Sequence, residues 1–233
     1  NIDILDYKAK FISNNEIALL DHAGNVKDKI TGNKIVINTG AQANIPKIEG
    51  IKTTKNIYDS TGLLNINFQP KDLVIVGGGY IALEFASMFS NLGSNVTVLE
   101  YGNVMMPRED REVAELAIQD LRNKGISVYT NVETTAFSNE GDATIVHTNQ
   151  GDFKSDAALL ATGRKPNTDG LGLENTDINI GQHGEIVVND KLQTTVEHIY
   201  AAGDVKGGLQ FTYISLDDFR ILQSQFFGNG TRT

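Results

Sequence analysis

The 233-residue sequence has no cysteine, no tryptophan and only four prolines. Without cysteine, these residues can form no disulfide, no thiolate metal site and no dithiol redox centre. Its four histidines (His22, His147, His183, His198) are scattered, with no second histidine or carboxylate at ligand spacing. Each reads as a solvated loop or strand residue, and no metal is predicted. Basic residues are also few: 20 Lys and Arg against 29 Asp and Glu leave a net charge of −9. Such a balance disfavours nucleic acid or an anionic membrane surface as a partner. No apolar run approaches the roughly 20 residues of a membrane helix, and no secretory leader is expected. The expectation is a soluble, cytoplasmic chain that takes small-molecule ligands.

What is present is organised around Leu73–Glu100. Four apolar residues, Leu73 to Val76, run into three glycines, followed by Ile81, Phe85, Met88, Phe89 and Leu92 at helical spacing. The pattern predicts a buried strand, a tight turn and a helix. Gly93 reads as the helix cap, and Asn95–Leu99 as a second strand ending in Glu100. Gly77, Gly79 and Ala82 fit the dinucleotide fingerprint: one for the turn, one for backbone approach to a pyrophosphate, one for close helix packing. The helix start favours phosphate charge. Glu100, 23 positions after Gly77, can accept from both ribose hydroxyls and would repel a 2′-phosphate. Residues 101–107 hold no Arg or Lys, so NADH is favoured over NADPH.

Before this unit, Lys8–Ser13, Glu16–Asp21 and Val26–Ile30 read as an antiparallel meander, and Lys34–Asn38 as a strand stopping at Thr39-Gly40. After it, Glu109–Lys124 reads as a helix capped by Asp110, with Val113, Leu116, Ala117 and Leu121 as its apolar stripe. Ile126–Tyr129 is then a parallel strand. Glu133–Phe137 and Thr144–Thr148 form a hairpin, and Ala157–Ala161 ends at Thr162-Gly163-Arg164. Both regions thus show a meander, a strand, a Thr-Gly turn and a following proline (Pro46, Pro166). The first copy has no preceding β-α-β unit, so its meander and strand lack parallel partners. A fragment cut inside its first domain is expected. Further on, Glu185–Val188 and Thr194–Ala201 read as strands, and Ser215–Phe227 as a helix with Asp217 and Asp218 in its first turn. That acidic pair reads as helix-start electrostatics.

Four motifs in order, Ile37–Ala41, Gly77–Glu84, Ala161–Asn167 and Ala201–Asp204, resemble the flavin-dependent pyridine nucleotide-disulfide oxidoreductases, among them dihydrolipoamide dehydrogenase, glutathione reductase and mercuric reductase. The resemblance covers essentially the whole chain. Asn38, Tyr58–Leu64, Pro107–Asp110 and Phe211–Asp218 look like the branch of bacterial reactive-chlorine-resistance and hypothiocyanous acid reductases. The fold class implied is α/β: a Rossmann-like three-layer NAD-binding domain, with a parallel sheet and an antiparallel meander, joined to partial FAD-binding segments. The domains expected are 1–69 (end of the first FAD segment), 70–167 (NAD(H) domain) and 168–233 (FAD return segment and helix).

Residue by residue, the resemblance implies NAD(H) held by Gly77, Gly79, Ala82 and Glu100, with Val132 near the adenine and Gly163 near the nicotinamide. Tyr80 would cover the flavin and swing aside for nicotinamide; Glu84 would lie near the nicotinamide. Gly40, Ala41, Arg164, Gly203, Asp204 and Thr212 would lie on the FAD side, Asp204 at the ribityl chain and Thr212 at the pyrimidine edge of the ring. The family's first FAD glycine loop, its redox-active cysteine pair and its dimerisation domain have no counterpart in these residues. No catalytic residue is therefore assigned here; weak to moderate NAD(H) binding, poor FAD binding and no turnover are expected of the chain alone, and the longer protein is expected to be a homodimer. Hypothiocyanous acid is the leading acceptor, a dihydrolipoamide dehydrogenase-type enzyme the second reading, and a non-catalytic NAD(H)-binding redox sensor the third.

Overall fold

Ile75 and Val98 sit side by side in register at the centre of a five-stranded parallel sheet, both fully buried. The computed structural model describes residues 2–233; the expectation for Asn1 lies outside the described residues. The chain forms two units, one built from residues 1–42 and 165–233, the other from Ala43–Arg164.

In the second unit the sheet runs in the order Ile57–Tyr58, Ala157–Leu160, Asp72–Val76, Asn95–Leu99, Ser127–Tyr129. Its central strands are continuously apolar because both faces are covered. On one face lie α2 (Tyr80–Asn91) and α3 (Arg111–Asn123), following the short α1 (Ser60–Leu64) in the chain. Ala82, Phe85, Ala86 and Phe89 of α2 pack with Ile75, Val98 and Leu159. On the other face Val74, Val76, Leu99 and Leu160 meet Phe137 and Val146. These last two belong to the antiparallel strands Thr134–Glu140, Ala143–Thr148 and Gly151–Ser155. The three layers are those expected: helices, parallel sheet, meander.

Two features of this unit differ from the sequence reading. Val113 and Leu116 are exposed; α3 turns Ala114, Ile118 and Leu121 inward instead. Those three form a competing stripe at i, i+4 and i+7, and an alanine at its start lets the helix sit close. The edge strand Ile57–Tyr58 and α1 had no periodic signal, being two and five residues long. That strand is the edge of the sheet in the unit Ala43–Arg164.

The first unit has its own core of Phe11, Ile37, Ile178, Ile186, Ile199, Ala201 and Val205. The meander Lys8–Phe11, Ile17–Leu20, Val26–Ile30 forms as expected. The following strand is not partnerless: Ile35–Ile37 pairs in parallel with Ile199–Ala201 from the far end of the sequence. Residues 185–188 form no strand. Ile186 is fully buried, makes a single antiparallel bridge with Ile180 and donates its N–H to the Val205 carbonyl at 3.0 Å, so its apolar alternation reflects burial with one isolated bridge and no extended ladder. The last helix, α4, spans Thr212–Phe227 and starts three residues earlier than expected. Among the described residues, no helix is long and apolar enough to cross a membrane.

Candidate functional site

In the second unit the sheet's strand ends converge on the glycine turn. Gly77 has φ +112°, and a Cβ there would lie 2.3 Å from the Ala161 carbonyl oxygen, so only glycine fits between the two strand ends. Its N–H donates to the Leu99 carbonyl at 2.8 Å, while Ala161 N–H donates to Val76 at 2.8 Å. Gly79 is the N-cap of α2, with extended backbone and no side-chain capping bond; a Cβ there would meet nothing within 4 Å. The turn is thus closed on its sheet side at Gly77 and open at Gly79. Ala82 is fully buried beneath the first helical turn, and Glu84 is exposed.

Glu100 reaches back over this turn. Its Oε1 accepts from Gly102 N–H at 2.6 Å, and its Oε2 lies 2.7 Å from where a Cβ on Gly78 would be. Gly78, to which the sequence reading gave no role, leaves the room that this carboxylate occupies. The segment after Glu100 is tied to the same turn: Met106, with φ +48°, donates from its N–H to the Gly78 carbonyl at 3.0 Å. Glu109 in turn donates its N–H to Met106. The Glu109 carboxylate accepts a hydrogen bond from Tyr80, and this, with some desolvation, pushes the Tyr80 phenol above its ordinary range. Val132 is almost wholly buried in the core, so its backbone is what it can offer a ligand; its N–H donates to the Glu100 carbonyl at 2.9 Å. Gly163 has φ +104° and open space at its Cβ position, and its carbonyl accepts from Asn44 N–H at 2.9 Å. Arg164 is exposed.

In the first unit a second set of turns comes together. Gly40 (φ +71°) accepts from Asn167 N–H at 2.9 Å, Asn167 Nδ2 donates to the Thr39 carbonyl at 2.9 Å, and Thr39 Oγ1 donates to the Asn167 carbonyl at 2.8 Å. This interlock fixes the Thr39-Gly40 turn ahead of Ala41, which is half-buried. Gly203 (φ +72°) opens a 3-10 turn, Gly203–Lys206, and a Cβ on it would meet Asn38 Oδ1 at 2.9 Å. Thr212 is the exposed first residue of α4. The acidic pair is not in the first turn of that helix. Asp218, only 3% exposed, accepts from Gly203 N–H on Oδ2 at 2.7 Å and faces Lys206 Nζ across 3.4 Å. Asp217 pairs with Arg232 on the surface.

The sequence profile of the pyridine nucleotide-disulphide oxidoreductases matches residues 2–218. The chain belongs to this family. It is 47% identical, over its full length, to the probable pyridine nucleotide-disulfide oxidoreductase RclA of Escherichia coli, of which it covers 52%. Over 99% of its length it is 32% identical to a mercuric reductase of Staphylococcus aureus, covering 42% of that protein. Among solved structures, the Cu(II) complex of the HOCl-induced flavoprotein disulfide reductase RclA from E. coli superposes with a TM-score of 0.94 at 46% identity, over all of this chain and 52% of that one. The chain therefore spans about half the length of the curated relatives it matches.

Members of the pyridine nucleotide-disulphide oxidoreductases are FAD-containing, NAD(P)H-dependent enzymes. The residues present fit the nucleotide: an α2 start without a side-chain cap, open space at Gly79, and a carboxylate beside the turn. They fit a flavin also, with a left-handed Gly203 leading to Asp204. Among the described residues the Asp204 carboxylate has no hydrogen-bond or ion-pair partner, and no group of three or more His, Cys, Asp or Glu could hold a metal. Sequence reasoning missed Gly78, Lys206 and Asp218. The first lies inside the glycine run, and the other two are far from their partners or look like helix-surface charges. Two histidines also do more than expected. His147 Nε2 is 2.8 Å from Ser138 Oγ and its Nδ1 2.9 Å from Asp152 Oδ1, across three adjacent strands, and His198 Nε2 bonds the Asn14 carbonyl.

Proposed function

We propose that this chain supplies the NADH-binding portion, with flanking flavin-binding segments, of an FAD-dependent disulfide oxidoreductase that takes hydride from NADH. The observation that carries the reading is the α2 turn itself: Gly77 closed against Ala161, Gly79 open, and the Glu100 carboxylate folded beside them. When bound, FAD supplies the two-electron relay of the family. The chain's own residues do the binding and orienting. The α2 start and Gly79 receive the pyrophosphate, and Glu100 exchanges its bond to Gly102 for the ribose hydroxyls. Val132 offers its backbone to the adenine side, and Gly163 lies toward the nicotinamide. Tyr80 screens the flavin position, with Glu84 near the nicotinamide. Gly40, Ala41, Arg164, Gly203, Asp204 and Thr212 serve the flavin. In the longer protein the acceptor is an oxidised sulfur species. Hypothiocyanous acid is the leading one, by the balance NADH + HOSCN → NAD⁺ + SCN⁻ + H₂O, and the similarity to an HOCl-induced flavoprotein disulfide reductase supports it. We assign that protein to the cytoplasm as a homodimer.

The test is a titration with NADH and NADPH, followed by nicotinamide fluorescence, on the wild type and Glu100→Arg. NADH binds the wild type more tightly, and the substitution reverses the order. Equal affinity of the wild type for both would remove Glu100 from the reading, and no binding of either would remove the reading itself.

A further inference from the structure

The most deeply buried carboxylate in the first unit is Asp218, and the proposed hydride chemistry makes no use of it. A buried charge is costly unless it is paired and hydrogen-bonded, and here both conditions are met by one turn. One oxygen holds Gly203 N–H at 2.7 Å; the other faces Lys206 Nζ at 3.4 Å, with the lysine side chain only 16% exposed. Between these two partners in sequence stands Asp204, whose carboxylate, among the described residues, has neither a hydrogen bond nor an ion pair. A lysine two residues from an unpaired carboxylate is its natural partner. Here the lysine is instead drawn down onto α4, and Asp204 keeps its acceptor capacity.

We propose that Asp218 is a positioning residue for flavin binding: it fixes the left-handed Gly203 and sequesters Lys206, so that the Asp204 carboxylate stays available to the hydroxyl groups of a polyol chain. The two Asp218 oxygens thus have separable tasks. Oδ2 sets the backbone of the turn, and Oδ1 keeps a competing cation away from the binding carboxylate. The inference rests on the flavin part of the proposed function.

The experiment measures FAD affinity, by quenching of flavin fluorescence on titration into apoprotein, in the longest natural chain that carries this sequence. Asp218→Asn keeps an acceptor for Gly203 N–H but frees Lys206. FAD affinity then falls roughly ten- to hundredfold, the range for loss of a charge-assisted hydrogen bond. Adding Lys206→Met to that variant removes the competitor, and affinity returns to within about threefold of wild type, a coupling that a purely structural Asp218 does not produce. Lys206→Met alone stays within about threefold of wild type, which tests the idea even where Asp218→Asn fails to fold. Unchanged affinity in Asp218→Asn, no recovery in the double variant, or a more than tenfold loss in Lys206→Met alone each overturns the proposal. A wild-type protein that binds no FAD overturns the flavin reading with it, whereas wild-type binding without the coupling overturns this inference only.

Discussion

Gly77 and Gly79 stand two residues apart in one turn, and adding the same methyl group to each produces opposite outcomes. At Gly77, alanine must adopt φ +112° with its Cβ 2.3 Å from the Ala161 carbonyl oxygen and 2.7 Å from its carbon. A non-glycine residue held at such a φ costs about 1–3 kcal/mol. The overlap with rigid strand backbone adds strain that no side-chain rotation relieves, for a total of at least ~3 kcal/mol. At ~2–4 °C per kcal/mol for a chain of this size, the melting transition falls by about 6–12 °C. At Gly79 the backbone is already extended and the space empty, so alanine costs about 1 kcal/mol as a poorer N-cap. Its methyl instead fills the space through which a pyrophosphate reaches the α2 start. Losing one charge-assisted bond of ~1.5–3 kcal/mol there lowers NADH affinity roughly ten- to 150-fold. Differential scanning fluorimetry and the NADH titration read the two axes. The reasoning is refuted if Gly77→Ala melts within about 2 °C of wild type, or if Gly79→Ala binds NADH as wild type does.

Four further outcomes follow from the structure. Ile75→Ala, in the fully buried centre of the parallel sheet, lowers unfolding free energy by about 2–5 kcal/mol in denaturant titration. The Tyr80 phenol is held above its ordinary range chiefly by Glu109, so Glu109→Gln brings its ionisation to lower pH, seen as the tyrosinate absorbance that Tyr80→Phe removes. The bonded, protonated form of Tyr80 is the one the fold favours; its contribution is complete below the phenol's unfolded value and is lost as pH rises through the folded one. Asp21 has the opposite sign. Its carboxyl is held low first by Asn25 N–H and then by Lys27, so the stability it contributes above its unfolded value is lost as pH falls through the folded value, and Asp21→Asn flattens that acid limb. His147→Ala cuts a half-exposed cross-strand network and costs under about 1 kcal/mol by the same denaturant assay.

The second unit was legible because its elements are long, continuously apolar and bounded by glycine. Leu73–Val76, α2 and Asn95–Leu99 form as read, and Asp110 caps α3 by accepting from Glu112 and Val113. What failed there failed by competition: α3 carries two apolar stripes, and close packing against α2 selects the one containing Ala114 over the one containing Leu116. The first unit was less legible because its order comes from distant pairing. Nothing local to Ile35–Ile37 announces Ile199–Ala201 as its neighbour, and nothing in a helix-borne Asp218 announces the N–H of Gly203. Glycines were informative where a turn was expected and silent where, as at Gly78, the reason is another residue's carboxylate.

The interrupted layout of the first unit has a consequence for synthesis. The second unit is one contiguous stretch, Ala43–Arg164, whose sheet and both covering layers are complete once residue 164 is made. Strand Ile35–Ile37 is made earlier, yet its parallel partner is residues 199–201, and the clamp on Gly203 waits for residue 218. At ~5–20 residues per second, strand Ile35–Ile37 waits on the order of ten to thirty seconds for its partner to be made, while the inserted unit folds ahead of that pairing. The order of assembly thereby departs from the order of the sequence: the nucleotide turn is finished before strand Ile35–Ile37, translated ahead of it, meets its partner.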